Sequence, residues 1–159
     1  MNVFLDIDGV LNRHGTRDYL HPECLFWFNK LDGIVDGVVL SSAWRYEVLR
    51  GDKTLPELAS FLFSLGLSDK FRIVGHTKSD KDTDVVKAPE EEPFVSRERL
   101  ILDYIRLNGI GKSLVIDDLP LKFEEDDPVV FVKTGSDCGF NEKSHAECVD
   151  IIGKWGKRK

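Results

Sequence analysis

Two carboxylates two residues apart, Asp6 and Asp8, close the first apolar run of the chain, in the stretch MNVFLDIDGVLN. Val3, Phe4, Leu5 and Ile7 have strand character, and Gly9 ends the run. A buried parallel strand reads as a near-continuous apolar run, so acids at its end are costly unless that end opens into a site. Ligands of open α/β sheets bind at the carboxyl ends of the strands. Side chains two apart on a strand point the same way, which brings Asp6 and Asp8 to one volume. Carboxylates so placed repel unless a shared proton or a cation intervenes. A hard divalent cation with oxygen ligands fits, and Mg²⁺ fits best. Asp and Gly are also ordinary turn formers, so this stretch taken singly suits a solvated corner equally well. A second apolar run, SLVIDD, ends in Asp117 and Asp118. Two strands that each end in paired acids make coincidence the weaker explanation.

Hydroxyls and cations recur at comparable places. GVVLSS, from Gly37 to Ser42, is an apolar run ending in Ser41 and Ser42, and Arg45 follows closely as a candidate for substrate contact. The polar stretch from Asn12 to His21 carries Arg13, His14 and Arg17, which either touch substrate or belong to a solvated loop. Arg97 falls in the first turn of a helix, where a cation opposes the macrodipole. That local cost points to another use for it, and Arg99 and Lys87 are its competitors.

The elements that must position these residues are readable. Pro22 suits a first helical turn, and Leu25, Phe26, Phe28 and Leu31 follow at mostly helical spacing. Thr54 and Glu57 form a capping box for a helix through Leu65, with Gly66 at its end. Phe71–Gly75 is a third strand. Ser96 caps a helix to about Asn108, with Leu100, Ile101, Tyr104, Ile105 and Leu107 on its apolar face. Ser113–Asp118 and Val129–Val132 are further strands, and a last helix runs from Glu142 or Lys143 through Ile152. His76 to Val95 is polar and charged, and reads as an insertion or flap over the site. Residues 154–159 form a basic tail. Strands alternating with helices predict a doubly wound parallel α/β sheet, in one domain over 1–159.

Composition narrows the partners. A formal charge of −6 argues against a protein built mainly to hold nucleic acid. Cys24, Cys138 and Cys148 are an odd number without zinc-like spacing, which favours buried thiols and a reducing, cytoplasmic setting. No run is long enough to span a bilayer, no targeting leader precedes the first strand, and no obligate protein partner is evident.

VFLDIDGVLN resembles the first motif of the haloacid dehalogenase (HAD) superfamily of aspartate-nucleophile phosphatases. GVLN, LSSAWR, VGHT, RERLILDYI and VIDDL, in that order, are similar to the HAD domains of Swiss Army knife RNA-repair proteins and their stand-alone relatives. The resemblance implies a Rossmann-like sheet without a large cap domain, because the stretch from Asn12 to Ser41 is short and a helix uses part of it. It implies Mg²⁺-dependent hydrolysis of a phosphomonoester through an aspartyl-phosphate, with Asp6 as nucleophile and Asp8 as general acid and base. Ser41, or alternatively Ser42, and Arg97 would bind the phosphoryl oxygens. The Asp6 carboxylate, the Asp8 backbone carbonyl and an acid from Asp117 and Asp118 would hold Mg²⁺. The implied partner is a phosphorylated substrate, either a small molecule or a nucleic-acid end. A phosphotransferase and a non-catalytic phosphate-binding module are the alternatives. Val10 departs from the family pattern, standing where many members carry Thr.

Overall fold

The computed structural model describes residues 1–13, 20–78 and 95–156. His14, Arg17, Lys87, most of the charged stretch after His76 and the end of the basic tail lie outside them. Five strands, β1 (Asn2–Leu5), β2 (Gly37–Leu40), β3 (Ile73–His76), β4 (Ser113–Asp117) and β5 (Val129–Lys133), form one sheet in the order β3-β2-β1-β4-β5. Every pairing is parallel. The helices are α1 (Pro22–Asn29), α2 (Tyr46–Leu49), α3 (Leu55–Ser64), α4 (Arg97–Leu107) and α5 (Glu142–Gly156), with a 3₁₀ turn over Ala43–Arg45.

Alternation along the strands splits the core in two. Val3 and Leu5 of β1, Val38 and Leu40 of β2, and Leu114 and Ile116 of β4 pack with Leu25 and Phe28 of α1, Leu58 and Leu62 of α3, and Cys148 of α5. Phe4, Val39 and Val115 point to the other face and meet Ile101 and Ile105 of α4. Each such buried side chain contributes about 1.5–3 kcal/mol. The core strands are apolar on both faces because both faces are covered, as a parallel sheet requires. The edge strands β3 and β5 are only partly buried, and β3 departs furthest from the sequence pattern. It is an edge strand, half-buried, and starts two residues later than the apolar pattern suggests. Phe71 is buried ahead of it and stacks against Phe28 at 5.0 Å instead of pairing in the sheet.

The helix caps follow the sequence. Thr54 and Glu57 make both bonds of the capping box, and the Ser96 hydroxyl accepts from the Arg99 amide at 3.3 Å. The chain order β1, β2, β3 runs outward to one side of β1, and β4 then returns to its other side. The sheet therefore reverses between β1 and β4, the place where an open α/β sheet opens a crevice at its carboxyl edge. Among the described residues no cap domain interrupts the β1-to-β2 connection, whose described part carries α1.

Candidate active site

The register places a row of polar side chains along the carboxyl edge. Leu5 pairs with Leu40 and with Ile116, and Leu40 pairs with His76. The next residue on each strand is Thr77, Ser41, Asp6 or Asp117. The ladder bonds continue through them: Ser41 donates its amide to Leu5 O, Asp6 to Ile116 O and Thr77 to Leu40 O, each at 3.0 Å. All four are buried. Thr134, just past β5, is buried too, and its hydroxyl donates to Gly9 O at 2.9 Å. This pins the turn that follows Asp6.

Asp6, Asp117 and Asp118 offer carboxylate oxygens within 4.8 Å of one another. Arg97, at the start of α4, reaches across the sheet to them. Its Nη1 lies 2.7 Å from Asp117 Oδ2 and 3.5 Å from Asp6 Oδ2. Asp117 Oδ1 accepts from the Leu119 amide at 3.0 Å. Among the described residues one guanidinium faces three acids. Burial, then the Asp117 charge and the hydrogen-bonded Asp118 carboxyl, push the Asp6 pKa to about 8, against the opposing pull of Arg97. Burial also raises Asp117, again against Arg97. Burial works to lower the Arg97 pKa, but the acids outweigh it and the net direction is up. Among the described contenders for the phosphate-facing cation, Arg99 points away, exposed, to Asp103 at 3.8 Å.

Asp8 does not converge on this cluster through its side chain. The strand ends at Leu5, and Ile7–Leu11 turns back, with the Val10 and Leu11 amides donating to Ile7 O. Strand periodicity, which predicted Asp6 and Asp8 on one volume, stops between them. The Asp8 carboxylate is instead held from the side: its Oδ1 accepts from Asn12 Nδ2 at 2.9 Å and from Trp44 Nε1 at 3.1 Å. Gly9 makes this turn possible. It has φ +80°, and a Cβ there would lie 2.2 Å from Asp118 Oδ2. Sequence reasoning passed over Trp44 and Thr134. Thr134 carries the same signal as Ser41, a polar residue directly after an apolar run. Trp44 carries none, since its partner is 36 positions away.

The remaining candidates divide. Ser42 Oγ accepts from the Trp44 amide at 3.3 Å and caps the 3₁₀ turn. Ser41 Oγ is fully buried and has no hydrogen-bond partner among the described residues. Arg45 is buried and donates to backbone carbonyls, from Nη1 to Ser42 O at 2.7 Å and Ser41 O at 3.2 Å, and from Nε to Lys78 O at 3.1 Å. In this arrangement it ties the end of β2 to the segment after β3. Arg13 donates from Nε to Cys138 O at 3.3 Å and pairs with Glu23 at 2.7 Å.

The model of the family described as "HAD domain in Swiss Army Knife RNA repair proteins" matches residues 2–145. The chain belongs to this family. No curated protein and no solved structure matches it. Residues 2–145 of the HAD domain span all five strands and every residue of the polar row. Family membership and the acidic cluster together point to phosphatase-type hydrolase chemistry. No helix among the described residues is long and apolar enough to cross a membrane.

Proposed function

We propose that this HAD domain hydrolyses phosphomonoesters in a Mg²⁺-dependent reaction that passes through an aspartyl-phosphate on Asp6. The observation that carries this reading is the Ser41 hydroxyl, buried beside Asp6 in the polar row without a hydrogen-bond partner among the described residues. A buried hydroxyl left unbonded costs about 1–3 kcal/mol. It makes sense where a ligand supplies the missing bond, and a phosphoryl oxygen is such a ligand.

The donor set fits Mg²⁺. Three carboxylates within 4.8 Å are hard oxygen donors, and burial, with the Asp117 charge beside it, raises the Asp6 pKa to about 8 against the pull of Arg97. The Asp6 and Asp118 carboxylates and the Asp8 backbone carbonyl would hold the ion, with Asp117 locked between Arg97 and the Leu119 amide. When bound, it shields the nucleophile from the anionic phosphate and draws charge from the phosphoryl oxygens.

The residues then divide the work. An Asp6 oxygen attacks phosphorus as the bond to the leaving oxygen breaks. Asp8 gives its proton to that oxygen. Asn12 and Trp44 both donate to Oδ1, which fixes the carboxyl and leaves Oδ2 to carry the proton. In the second step Asp8 takes a proton from water, the resulting hydroxide attacks phosphorus, and the Asp6 carboxylate is released with inorganic phosphate. Ser41 and Arg97 hold the equatorial oxygens, over which the transition-state charge is spread. The family description, with RNA repair in its wording, supports a phosphorylated nucleic-acid end as substrate. The test is rapid quenching of the protein with an aryl phosphate and Mg²⁺, followed by intact-mass measurement. A phosphoryl adduct on Asp6 is expected, and full turnover in excess chelator would refute the metal-dependent reading.

A further inference from the structure

Buried side-chain hydroxyls among the described residues sort by what they touch. Ser42 accepts from the Trp44 amide at 3.3 Å, and Ser113 donates to Gly111 O at 3.0 Å. Thr134 donates to Gly9 O at 2.9 Å, and Ser144 donates to Asn141 Oδ1 at 3.1 Å. Ser41 and Thr77 are buried as well, and neither hydroxyl makes a hydrogen bond among the described residues. Thr77 is only 1% exposed, and it bonds through its backbone: the amide donates to Leu40 O at 3.0 Å, and the carbonyl accepts from His76 Nδ1 at 2.8 Å. Buried hydroxyls are ordinarily bonded, because leaving one without a partner is costly. The two that depart from this rule are neighbours.

Their places in the sheet make them a pair. Leu40 pairs with His76, and the ladder runs one residue further through the Thr77 amide, so Ser41 and Thr77 stand opposite each other at the carboxyl edge. Adjacent strands lie about 4.8 Å apart, and residues matched in register on them share a face. Asp6 is matched to Ser41 on its other side, since Leu5 pairs with Leu40. Arg45 fixes both strand ends by their carbonyls, Ser41 O and Ser42 O on one and Lys78 O on the other. Neither hydroxyl is needed to hold the strand ends in place.

We propose that Thr77 is a second phosphoryl-binding residue, whose hydroxyl joins that of Ser41 in donating to the phosphate oxygen on the β2–β3 flank of Asp6. The proposal rests on the phosphomonoesterase reading above. An anionic oxygen accepts more than one hydrogen bond, and bonds to a charged acceptor are the strong ones. Arg97 approaches Asp6 alongside Asp117 of β4. The hydroxyls of β2 and β3 then serve the other flank of the phosphate. Charge that spreads over the phosphoryl oxygens in the transition state is met from both sides.

The probe is inorganic phosphate with Mg²⁺, titrated calorimetrically into the full-length protein, alongside kcat/KM for an aryl phosphate. Thr77→Val replaces the hydroxyl with a methyl group of similar size. It should weaken phosphate binding and lower kcat/KM, each by about 10–100-fold, the scale of one hydrogen bond to a charged group. The melting temperature should hold or rise, because no bond within the protein is lost. Thr77→Ser keeps the hydroxyl and should restore both quantities, which a packing role for the methyl would not allow. If valine is not accommodated, Thr77→Ala set against Thr77→Ser makes the same comparison. Weaker phosphate binding in Ser41→Ala with unchanged binding in Thr77→Val removes Thr77 from the site and leaves the hydrolase standing. Weaker binding in Thr77→Val, while the wild-type protein turns over no phosphomonoester, keeps the phosphate site and overturns the hydrolase. A melting temperature that falls in Thr77→Val and recovers in Thr77→Ser gives the hydroxyl a structural partner and overturns the proposal.

Discussion

Removing the Ser41 hydroxyl should move stability and activity in opposite directions. Its oxygen is buried and unbonded, so Ser41→Ala relieves an unsatisfied polar group and the melting temperature should hold or rise. On the proposed mechanism the same change removes a donor to transition-state charge, which costs about 10²–10³ in kcat for groups of this kind. A simultaneous drop in both would mean that the hydroxyl has a structural partner and no catalytic one. The two carboxylates of the first motif should separate in the same assays. On the proposed mechanism Asp6→Asn removes the nucleophile, so no phosphoryl adduct should form. Asp8→Asn keeps the backbone carbonyl and the nucleophile but removes the acid and base, so turnover falls by about 10²–10⁴. Nitrophenyl phosphate, whose leaving group needs no proton, should lose less in the attack step than an alkyl phosphate. Accumulation of phospho-aspartate in Asp8→Asn, seen by intact mass, is the expected signature. An adduct in Asp6→Asn and none in Asp8→Asn would reverse the roles.

At the scale of elements, the turn after β1 carries more of the site than the strand does. Gly9 adopts φ +80° directly against Asp118, and Thr134 anchors its carbonyl. The loop after β5 supports the turn from beneath: the Phe140 amide donates to Val10 O at 2.7 Å. There a Cβ on Gly139 would meet the same oxygen at 2.8 Å. Gly9→Ala should therefore cost roughly 1–2 kcal/mol in backbone strain and also displace the Asp118 carboxylate. Calorimetric titration should then show weakened Mg²⁺ binding, an effect that backbone strain alone would not produce. The elements that were legible from sequence are those whose causes are local. The Thr54–Glu57 box, the Ser96 cap and the apolar strand runs announce themselves within a few residues. Short helical turns over residues 43–49 went unread because they carry no apolar period. The position of Asp8 went unread because strand alternation was extended past the point where the chain leaves the strand. The order of residues puts Ser41 ahead of Ser42 as the first polar residue after the apolar run, but what each hydroxyl touches depends on β1, β2 and the 3₁₀ turn together.

Across the whole molecule, the fold concentrates acid charge at the β1/β4 switch point, where among the described residues Arg97 is the guanidinium that faces it. That arrangement couples stability, pH and metal. The Asp6 pKa is about 8 in the folded metal-free protein, against an ordinary value of 3.8. Between those values the folded state holds a proton that the unfolded state has released. The stability Asp6 contributes is therefore fully present below about pH 4 and is lost as pH rises through about 8, and the raised Asp117 acts in the same direction. On the proposed mechanism Mg²⁺ would bind the carboxylate form, so below pH 8 it would have to displace that proton, and its apparent affinity should rise with pH. With the ion at about 100 times its Kd, binding contributes about 2.7 kcal/mol. In a chain of this size that raises the melting temperature by about 5–11 °C. At a fixed, subsaturating Mg²⁺ concentration, the melting temperature difference between Mg²⁺ and chelator should widen from pH 6 to pH 9. Binding near pH 7 should release about one proton, measurable by calorimetry in buffers of different ionisation enthalpy. Asp6→Asn has no proton to lose at that position, so it should flatten both dependences. A difference that stays constant across this pH range in the wild-type protein would mean that the ion binds elsewhere, and the site at the switch point would lose its metal.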